Sequence, residues 1–280
     1  MQNIHAHVWD QSKHFQPQTV QESDLSRGYR LDLTVRLEGL LEDMEPFDRV
    51  VIFGLKGRRT GYWVPDEYVA EMASRAAGKL VGFAACDPTQ PDYMEELRKA
   101  IEILGLKGLK MGPIYGGFDP RDPRCEPVYA YCQEKRIPIV CHTGTTFNRD
   151  APLAFGRPWL FDEVAMRYPE LRIVLAHLGH PFYDECLAVI RKHPQVYADI
   201  SALYYRPWQF YNMMVLAEEY RVTHKLFFGT DYPFARARES IEGVRNVNHV
   251  VGGSPLPRVS VEVIEHILER DALGLLGVSP

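Results

Sequence analysis

Val50-Val51-Ile52-Phe53 is apolar at every position, and Ile137-Pro138-Ile139-Val140 repeats the pattern further along the chain. A strand with one wet face alternates apolar and polar residues, because successive side chains point to opposite faces. A strand apolar throughout is covered on both sides, as in a parallel sheet flanked by helices. Similar runs are found at Gln2–Val8, Arg49–Leu55, Leu80–Ala85, Gly108–Met111, Ile137–His142, Arg172–His177, Val196–Ser201 and Lys225–Gly229. Helical patterns alternate with them near residues 30–45, 65–77, 91–104, 125–135, 158–168, 182–193, 207–220 and 260–270. Val64-Pro65-Asp66-Glu67 and Gln90-Pro91-Asp92 place proline and acids in a first helical turn, where both are favoured.

Eight strands alternating with eight helices imply a parallel sheet with crossover connections. No phosphate-binding glycine fingerprint follows the first strand, so closure into a barrel is expected over a doubly wound open sheet. The expectation is an α/β fold, a single (β/α)8 TIM-type barrel spanning residues 1–280, with its active site at the C-terminal ends of the strands.

Composition narrows the function. The chain has 280 residues, 46% hydrophobic and 25% charged, and 37 acids against 32 bases give a net charge of −5. That balance argues against nucleic acid or an anionic membrane as the general partner, since phosphates need a positive field. No stretch approaches the roughly 20 apolar residues of a membrane span. The opening Met1-Gln2-Asn3-Ile4-His5 has neither a basic nor an apolar leader region, so no secretory signal is expected. The five cysteines, at 86, 125, 132, 141 and 186, are odd in number and form no CxxC pair. Neither a disulfide framework nor a thiolate zinc site is expected, and the compartment is read as reducing and cytoplasmic. Cys141 is read as a small buried apolar residue.

In a barrel the informative question is what each strand ends in. The first ends Ile4-His5-Ala6-His7-Val8. The period of two puts both imidazoles toward the axis and leaves Ile4, Ala6 and Val8 facing the helices. The fifth strand ends in His142, the sixth in His177, and Asp231 follows the eighth. Neutral imidazoles and a carboxylate suit Zn²⁺ and its first-row neighbours. Five such groups buried without a cation or full pairing would be costly.

His5-Ala6-His7, Gly108-Leu109-Lys110, Cys141-His142-Thr143-Gly144, Ala176-His177-Leu178-Gly179 and Gly229-Thr230-Asp231-Tyr232-Pro233 resemble the amidohydrolase superfamily. More narrowly, they are similar to its amidohydrolase-related branch, which contains aminocarboxymuconate semialdehyde decarboxylase. The resemblance runs over essentially the whole chain and departs where the family usually has Asn at Asp271. It implies that His5, His7, His142 and Asp231 hold one divalent metal, zinc first, with manganese or iron as alternatives. It implies that His177 and Asp231 are catalytic and handle protons. In some binuclear branches a strand-four lysine is carbamylated and bridges two metals. Similar branches are usually mononuclear, so Lys110 is expected to make an ion pair or hydrogen bond instead.

Other polar residues are weaker candidates. His180 reads as a neighbour of the site or a rim residue, and His14 as a residue of the first long loop that is a candidate to reach the mouth. Asp87 reads as a turn-former with Pro88. Asp199 and Ser201 share one strand face by the period of two, which makes Ser201 a candidate to reach the pocket.

Aromatic and basic residues crowd the loops after the strands, among them Trp9, Phe15, Arg58, Arg59, Tyr62, Trp63, Tyr115, Tyr205, Arg206, Phe234 and Arg236. Aromatic walls suit a planar organic molecule and arginine suits a carboxylate. Arg58 and Arg59 are the pair expected to bind it. The expected partner is therefore a small-molecule carboxylic acid, and a homodimer is the default assembly. No organic cofactor is expected. Hydrolysis of a carboxylated lactone, ester or amide through metal-activated water is ranked first. Non-oxidative decarboxylation of a small aromatic or unsaturated acid is the alternative.

Overall fold

The computed structural model describes residues 1–278. Ten strands occur among the described residues: β1 (Gln2–His7), β2 (Arg49–Phe53), β3 (Lys56–Gly57), β4 (Tyr62–Trp63), β5 (Leu80–Cys86), β6 (Leu109–Met111), β7 (Ile139–Cys141), β8 (Ile173–Leu175), β9 (Val196–Asp199) and β10 (Leu226–Phe227). Eight of them form one parallel sheet in the order β1-β2-β5-β6-β7-β8-β9-β10.

The last strand returns to the first. Ile4 N–H donates to Phe228 O (3.1 Å), Asp231 N–H to His5 O (2.9 Å) and His7 N–H to Tyr232 O (2.7 Å). A parallel bridge pairs Ala6 with Tyr232. The barrel is therefore joined by the loop after β10, and that junction places Asp231 beside both histidines of β1.

Two apolar layers follow from the strand period. Val50, Ile52, Ala84, Leu109, Met111, Ile139, Ile173 and Leu175 pack outward into the cluster shared with the helices. Val51, Phe53, Val81, Phe83, Val140, Val174 and Phe227 meet inside the barrel. A fully buried side chain of this size contributes about 1.5–3 kcal/mol. The C-terminal turn Ala272–Leu275 closes the barrel floor, where Leu273 N–H donates to Gln2 Oε1 (2.9 Å).

Ile4 corrects the simple alternation. It joins the interior cluster, whereas Ala6 and Val8 face the helices as expected. The cause is a register irregularity between Asn3 and Ala6 in the β1–β2 pairing, and such irregularities re-aim side chains. His5 lies within the irregular stretch and His7 beyond it, and both rings pack against Phe53 of the interior cluster.

The longer helices depart from the sequence expectation in three places. The pattern at 30–45 narrows to Leu37–Asp43. A helix at Pro17–Arg27 precedes it, with proline in its first turn and Gly28 in the left-handed region (φ 76°) at its end. Its signals were terminal rather than periodic, since its buried residues are Thr19, Glu22 and Ser23. Ala237–Arg245 is the helix directly after the last strand, so Val261–Glu269 is one element later than expected. β3 and β4 form a small antiparallel hairpin that no alternation announced. No helix among the described residues is long and apolar enough to cross a membrane.

Candidate metal centre and active site

His5, His177 and Asp231 each turn one ligand atom toward a common point, and these atoms lie within 4.8 Å of one another. His5 Nε2 and His7 Nε2 stand 3.2 and 3.3 Å from Asp231 Oδ1. His142 borders this group, its ring centroid 5.0 Å from that of His177. The tight trio thus contains His177, whereas the resemblance put His7 and His142 in the ligand set. His142 Nε2 instead lies 3.3 Å from Thr145 O.

Two positions adopt a backbone conformation unusual for a residue with a Cβ. His177 has φ 58° and Asp231 has φ 64°. Such strain costs on the order of 1–3 kcal/mol and persists only where the surroundings impose it. Asp231 is pinned by its own N–H on His5 O and by Phe234 N–H on its carbonyl (2.9 Å). His177 is pinned by its N–H on Asp199 Oδ1 (3.0 Å).

Burial sets the charge states. It lowers the His7 pKa to about 3 and that of His177 to about 4, so both rings are neutral near pH 7. His142 is likewise held well below its usual value by burial and by His177. Burial works against ionising Asp231, but the rings of His177, His5 and His7 outweigh it and keep the carboxyl well below its usual range. Lys110 ends β6 with Nζ 3.2 Å from His5 Nε2 and 4.5 Å from the Phe53 ring centroid. Burial lowers its pKa to about 8.

These residues fit a divalent cation. Asp231 Oδ1 and His7 Nδ1 are buried without a hydrogen-bond partner, a costly state for polar atoms. Neutral imidazole nitrogens around an anionic oxygen form a donor set that a zinc-like ion satisfies.

A cavity of about 660 Å³ opens over this cluster. His7, Lys110, His142, His177 and Asp231 line its base, and Trp9, Tyr62, Tyr115, Phe147, Tyr205 and Phe234 line its walls. Arg27 and Arg206 also border it. The Arg27 guanidinium lies 5.5 Å from the Phe147 ring and 5.2 Å from the Phe234 ring, and it donates to Ser23 O (3.2 Å) and Ser23 Oγ. Arg206 donates to Ala202 O (3.0 Å) and lies 4.5 Å from the Tyr205 ring. Among the described residues, the ion pairs formed by carboxylates include neither arginine.

The loop arginines expected to bind a carboxylate lie elsewhere. Arg58 stacks on Trp63 at 3.8 Å, and Arg59 donates to Asp150 O at 2.6 Å. Neither lines the cavity. Sequence reading missed Arg27, whose only sequence signal was its place near the end of a polar segment. Asp87 is the turn-former expected, accepting from Thr89 N–H (3.0 Å) and Thr89 Oγ1 (2.6 Å). His14 accepts from Asp10 N–H (2.9 Å) and stays off the cavity. His180 reaches its rim and pairs with Gln209 Oε1 (2.6 Å). Asp199 and Ser201 lie beneath the cluster. Asp199 Oδ2 is 2.9 Å from His5 Nδ1, and Ser201 Oγ is 2.8 Å from His177 Nδ1. All five cysteines are buried without disulfides, and burial pushes the Cys141 thiol up, away from reactivity.

A closed parallel barrel with histidines and an aspartate gathered at its strand ends defines a class, the (β/α)8 enzymes with a metal-binding cluster. Within it, the chain belongs to the amidohydrolase family, whose model matches residues 3–277. The chain is 23% identical over 269 residues to the 2-amino-3-carboxymuconate-6-semialdehyde decarboxylase of Dictyostelium discoideum, covering 79% of this chain and 70% of the relative. It also shares its fold with two solved structures. One is a probable 2-pyrone-4,6-dicarboxylic acid hydrolase from Acinetobacter baumannii with citric acid bound (TM-score 0.70, 15% identity, 99% of this chain and 98% of that one). The other is the 5-carboxyvanillate decarboxylase of Sphingomonas paucimobilis (TM-score 0.68, 14% identity, 100% and 99%). The chain is thus an amidohydrolase-superfamily enzyme whose relatives include both decarboxylases and hydrolases.

Proposed function

We propose that this enzyme removes CO₂ from a small aromatic or unsaturated carboxylic acid with the help of one divalent metal ion. The observation that carries the substrate class is the position of Arg27 and Arg206. Both border the same aromatic-walled cavity as the His/Asp cluster and lack carboxylate partners among the described residues. A guanidinium without an acid partner suits a substrate carboxylate. On sequence alone, hydrolysis ranks ahead. The decarboxylase relative, aligned over 269 residues, supports the reverse order.

His5, His7, His142 and Asp231 would hold the metal, with His177 beside it. When bound, the ion would anchor substrate oxygens and draw electron density from them. The chain's own groups do the rest. Arg27 and Arg206 orient the acid, while Trp9, Tyr115 and Phe234 hold its plane and exclude water. His177 is neutral and its Nδ1 is occupied by Ser201, which leaves Nε2 for the cavity. Nε2 takes up a proton released by the substrate or by solvent. As the carbon–carboxylate bond breaks, its electron pair stays on carbon, and the proton on His177 moves to that carbon.

A second reading, hydrolysis of a carboxylated lactone or ester, is favoured by one specific feature. A neutral His177 with a free Nε2 is equally suited to take a proton from an attacking water. The test is a panel of hydroxybenzoates, unsaturated dicarboxylic acids and pyrone acids offered to the zinc- and manganese-loaded enzyme in ¹⁸O-water. Release of CO₂ without ¹⁸O in the organic product supports decarboxylation. Ring opening with one ¹⁸O incorporated and no CO₂ overturns it in favour of hydrolysis.

A further inference from the structure

We infer that Asp199 and Ser201 are positioning residues that set the tautomers of both His5 and His177, so that each ring turns an unprotonated Nε2 toward Asp231. The inference rests on the reading above only in treating this cluster as the reacting site, and it holds for either reaction.

Asp199 is wholly buried at the end of β9, and both of its oxygens are engaged. Oδ2 lies 2.9 Å from His5 Nδ1. Oδ1 accepts the backbone N–H groups of His177 and Ser201, each at 3.0 Å, and the Ser201 hydroxyl. A carboxylate can only accept, so the hydrogen of this His5 contact sits on Nδ1.

The same logic reaches His177 through Ser201. The Ser201 hydroxyl spends its one hydrogen on Asp199, so toward His177 Nδ1, 2.8 Å away, the oxygen can only accept. The Ser201 carbonyl, 3.3 Å from the same nitrogen, is an acceptor by nature. Both neighbours of that ring atom therefore require a hydrogen on it. A neutral imidazole carries one N–H, so Nε2 of each ring holds a lone pair.

A third contact agrees independently. Lys110 Nζ lies 3.2 Å from His5 Nε2 and is a donor, which a lone pair there satisfies and an N–H would repel. Asp231 Oδ1, 3.2 Å from the same nitrogen and without a hydrogen bond, is the opposing contact, and a cation between the two acceptors relieves it. One carboxylate thus governs two rings, from β1 and from the end of β8. Its effect is to present a ligand atom and a proton acceptor where the opposite tautomers would present two N–H groups. Such outer contacts orient metal ligands and raise their basicity.

Long-range ¹H–¹⁵N NMR of the histidine rings in metal-free, ¹⁵N-labelled protein reads the tautomers directly. The expected spectrum has both His5 and His177 protonated at Nδ1. Ser201→Ala should leave His177 a mixture of tautomers, and Asp199→Asn, whose amide can donate to Nδ1, should turn His5 over. In each variant Zn²⁺ affinity, read by competition with a chromophoric chelator, should fall about tenfold or more. Ser201→Thr, which keeps the hydroxyl, should restore both readouts. Nε2–H signals for either ring in the wild type would overturn the inference. So would a folded Ser201→Ala protein with unchanged tautomers and zinc affinity. If either variant fails to fold by circular dichroism, the wild-type spectrum and Ser201→Thr decide alone. Expected tautomers and zinc response with no turnover of any acid would sink the proposed reaction and leave the positioning role standing.

Discussion

His7 Nε2 stands 3.3 Å from Asp231 Oδ1, and that oxygen is buried without a hydrogen bond. Asp231 comes from the loop after the last strand and His7 from the end of the first, so closure of the barrel makes the pair. A cation between that oxygen and the two ring nitrogens facing it would satisfy all three. Protein purified without chelator should carry about one equivalent of divalent metal, since the proposed ligands His5, His7, His142 and Asp231 make one site. His5→Ala/His7→Ala and Asp231→Asn should each lose it. Elemental mass spectrometry checks this, and two equivalents in wild type would point to a bridging role for Lys110.

Arg27 is held by two aromatic faces and by Ser23, which presets its guanidinium toward the cavity. Arg27→Ala should raise KM for the acid by about 10- to 100-fold with a smaller effect on kcat, since a hydrogen bond to a charged group is worth about 1.5–3 kcal/mol. Arg58→Ala, with its side chain on Trp63, should leave KM within about twofold, a surface change within ±0.5 kcal/mol. Steady-state kinetics on both variants test the assignment, and equal effects would refute it.

The depressed histidines give the metal-free protein an acid-labile centre. Burial lowers the His177 pKa to about 4 and that of His7 to about 3, against about 6.5 in the unfolded chain. The unfolded state therefore binds protons first as pH falls. The contribution of these rings is fully present above pH 6.5, and it is lost as pH drops from 6.5 through about 4 and then 3. The Tm of metal-free protein should be flat above pH 6.5 with respect to these groups and decline below it. His177→Gln should make that decline shallower. Calorimetry across pH 4–8 measures it, and an unchanged slope in the variant would count against the account.

Gly144 has φ 99°, and a Cβ there would meet His180 O at 1.9 Å. Its N–H donates to Gly156 O (2.6 Å), and Thr145 N–H donates to His180 O (2.9 Å). This turn carries His142 and ties it to the loop after His177. Gly144→Ala should destabilise the fold by about 1–3 kcal/mol, as expected for strain at a left-handed position, and also weaken metal binding. Urea unfolding and metal content together check this. Loss of stability with normal metal binding would show that the turn does not position His142.

The interior mutation Phe53→Ala tests the barrel core beneath the site. Phe53 is fully buried, and its ring lies 4.9 Å from both the His5 and His7 rings and 4.5 Å from Lys110 Nζ. Loss of the ring should cost about 3–5 kcal/mol. Urea unfolding reads the cost, and a change below 1 kcal/mol would mean that the site is not supported from this side.

Much of this was legible in the chain. Runs such as Val50–Phe53, apolar on both faces, announced a covered parallel sheet because the strand period is local. His5 and His7 announced their shared face for the same reason, and the ends of the runs put His142 and His177 at strand tips. The helix Pro17–Arg27 was not legible by periodicity, because its inward face is polar. Its Glu22 is committed to Asn148 Nδ2 (3.1 Å), far away in sequence. Ile4 was misplaced because the irregularity between Asn3 and Ala6 depends on the partner strand, which alternation within one strand cannot report.

By itself the sequence determined the closed eight-stranded architecture and the residue types at its strand ends, because periodicity and strand-end chemistry are properties of neighbouring residues. Only the tertiary structure decided which of those groups converge. It brought His177 within reach of His5 and Asp231, turned Arg27 toward the cavity and Arg58 onto Trp63, and set Asp199 and Ser201 beneath two histidines. Those contacts join residues up to 226 positions apart, as His5 and Asp231 are, and they depend on barrel closure and loop packing rather than local propensity.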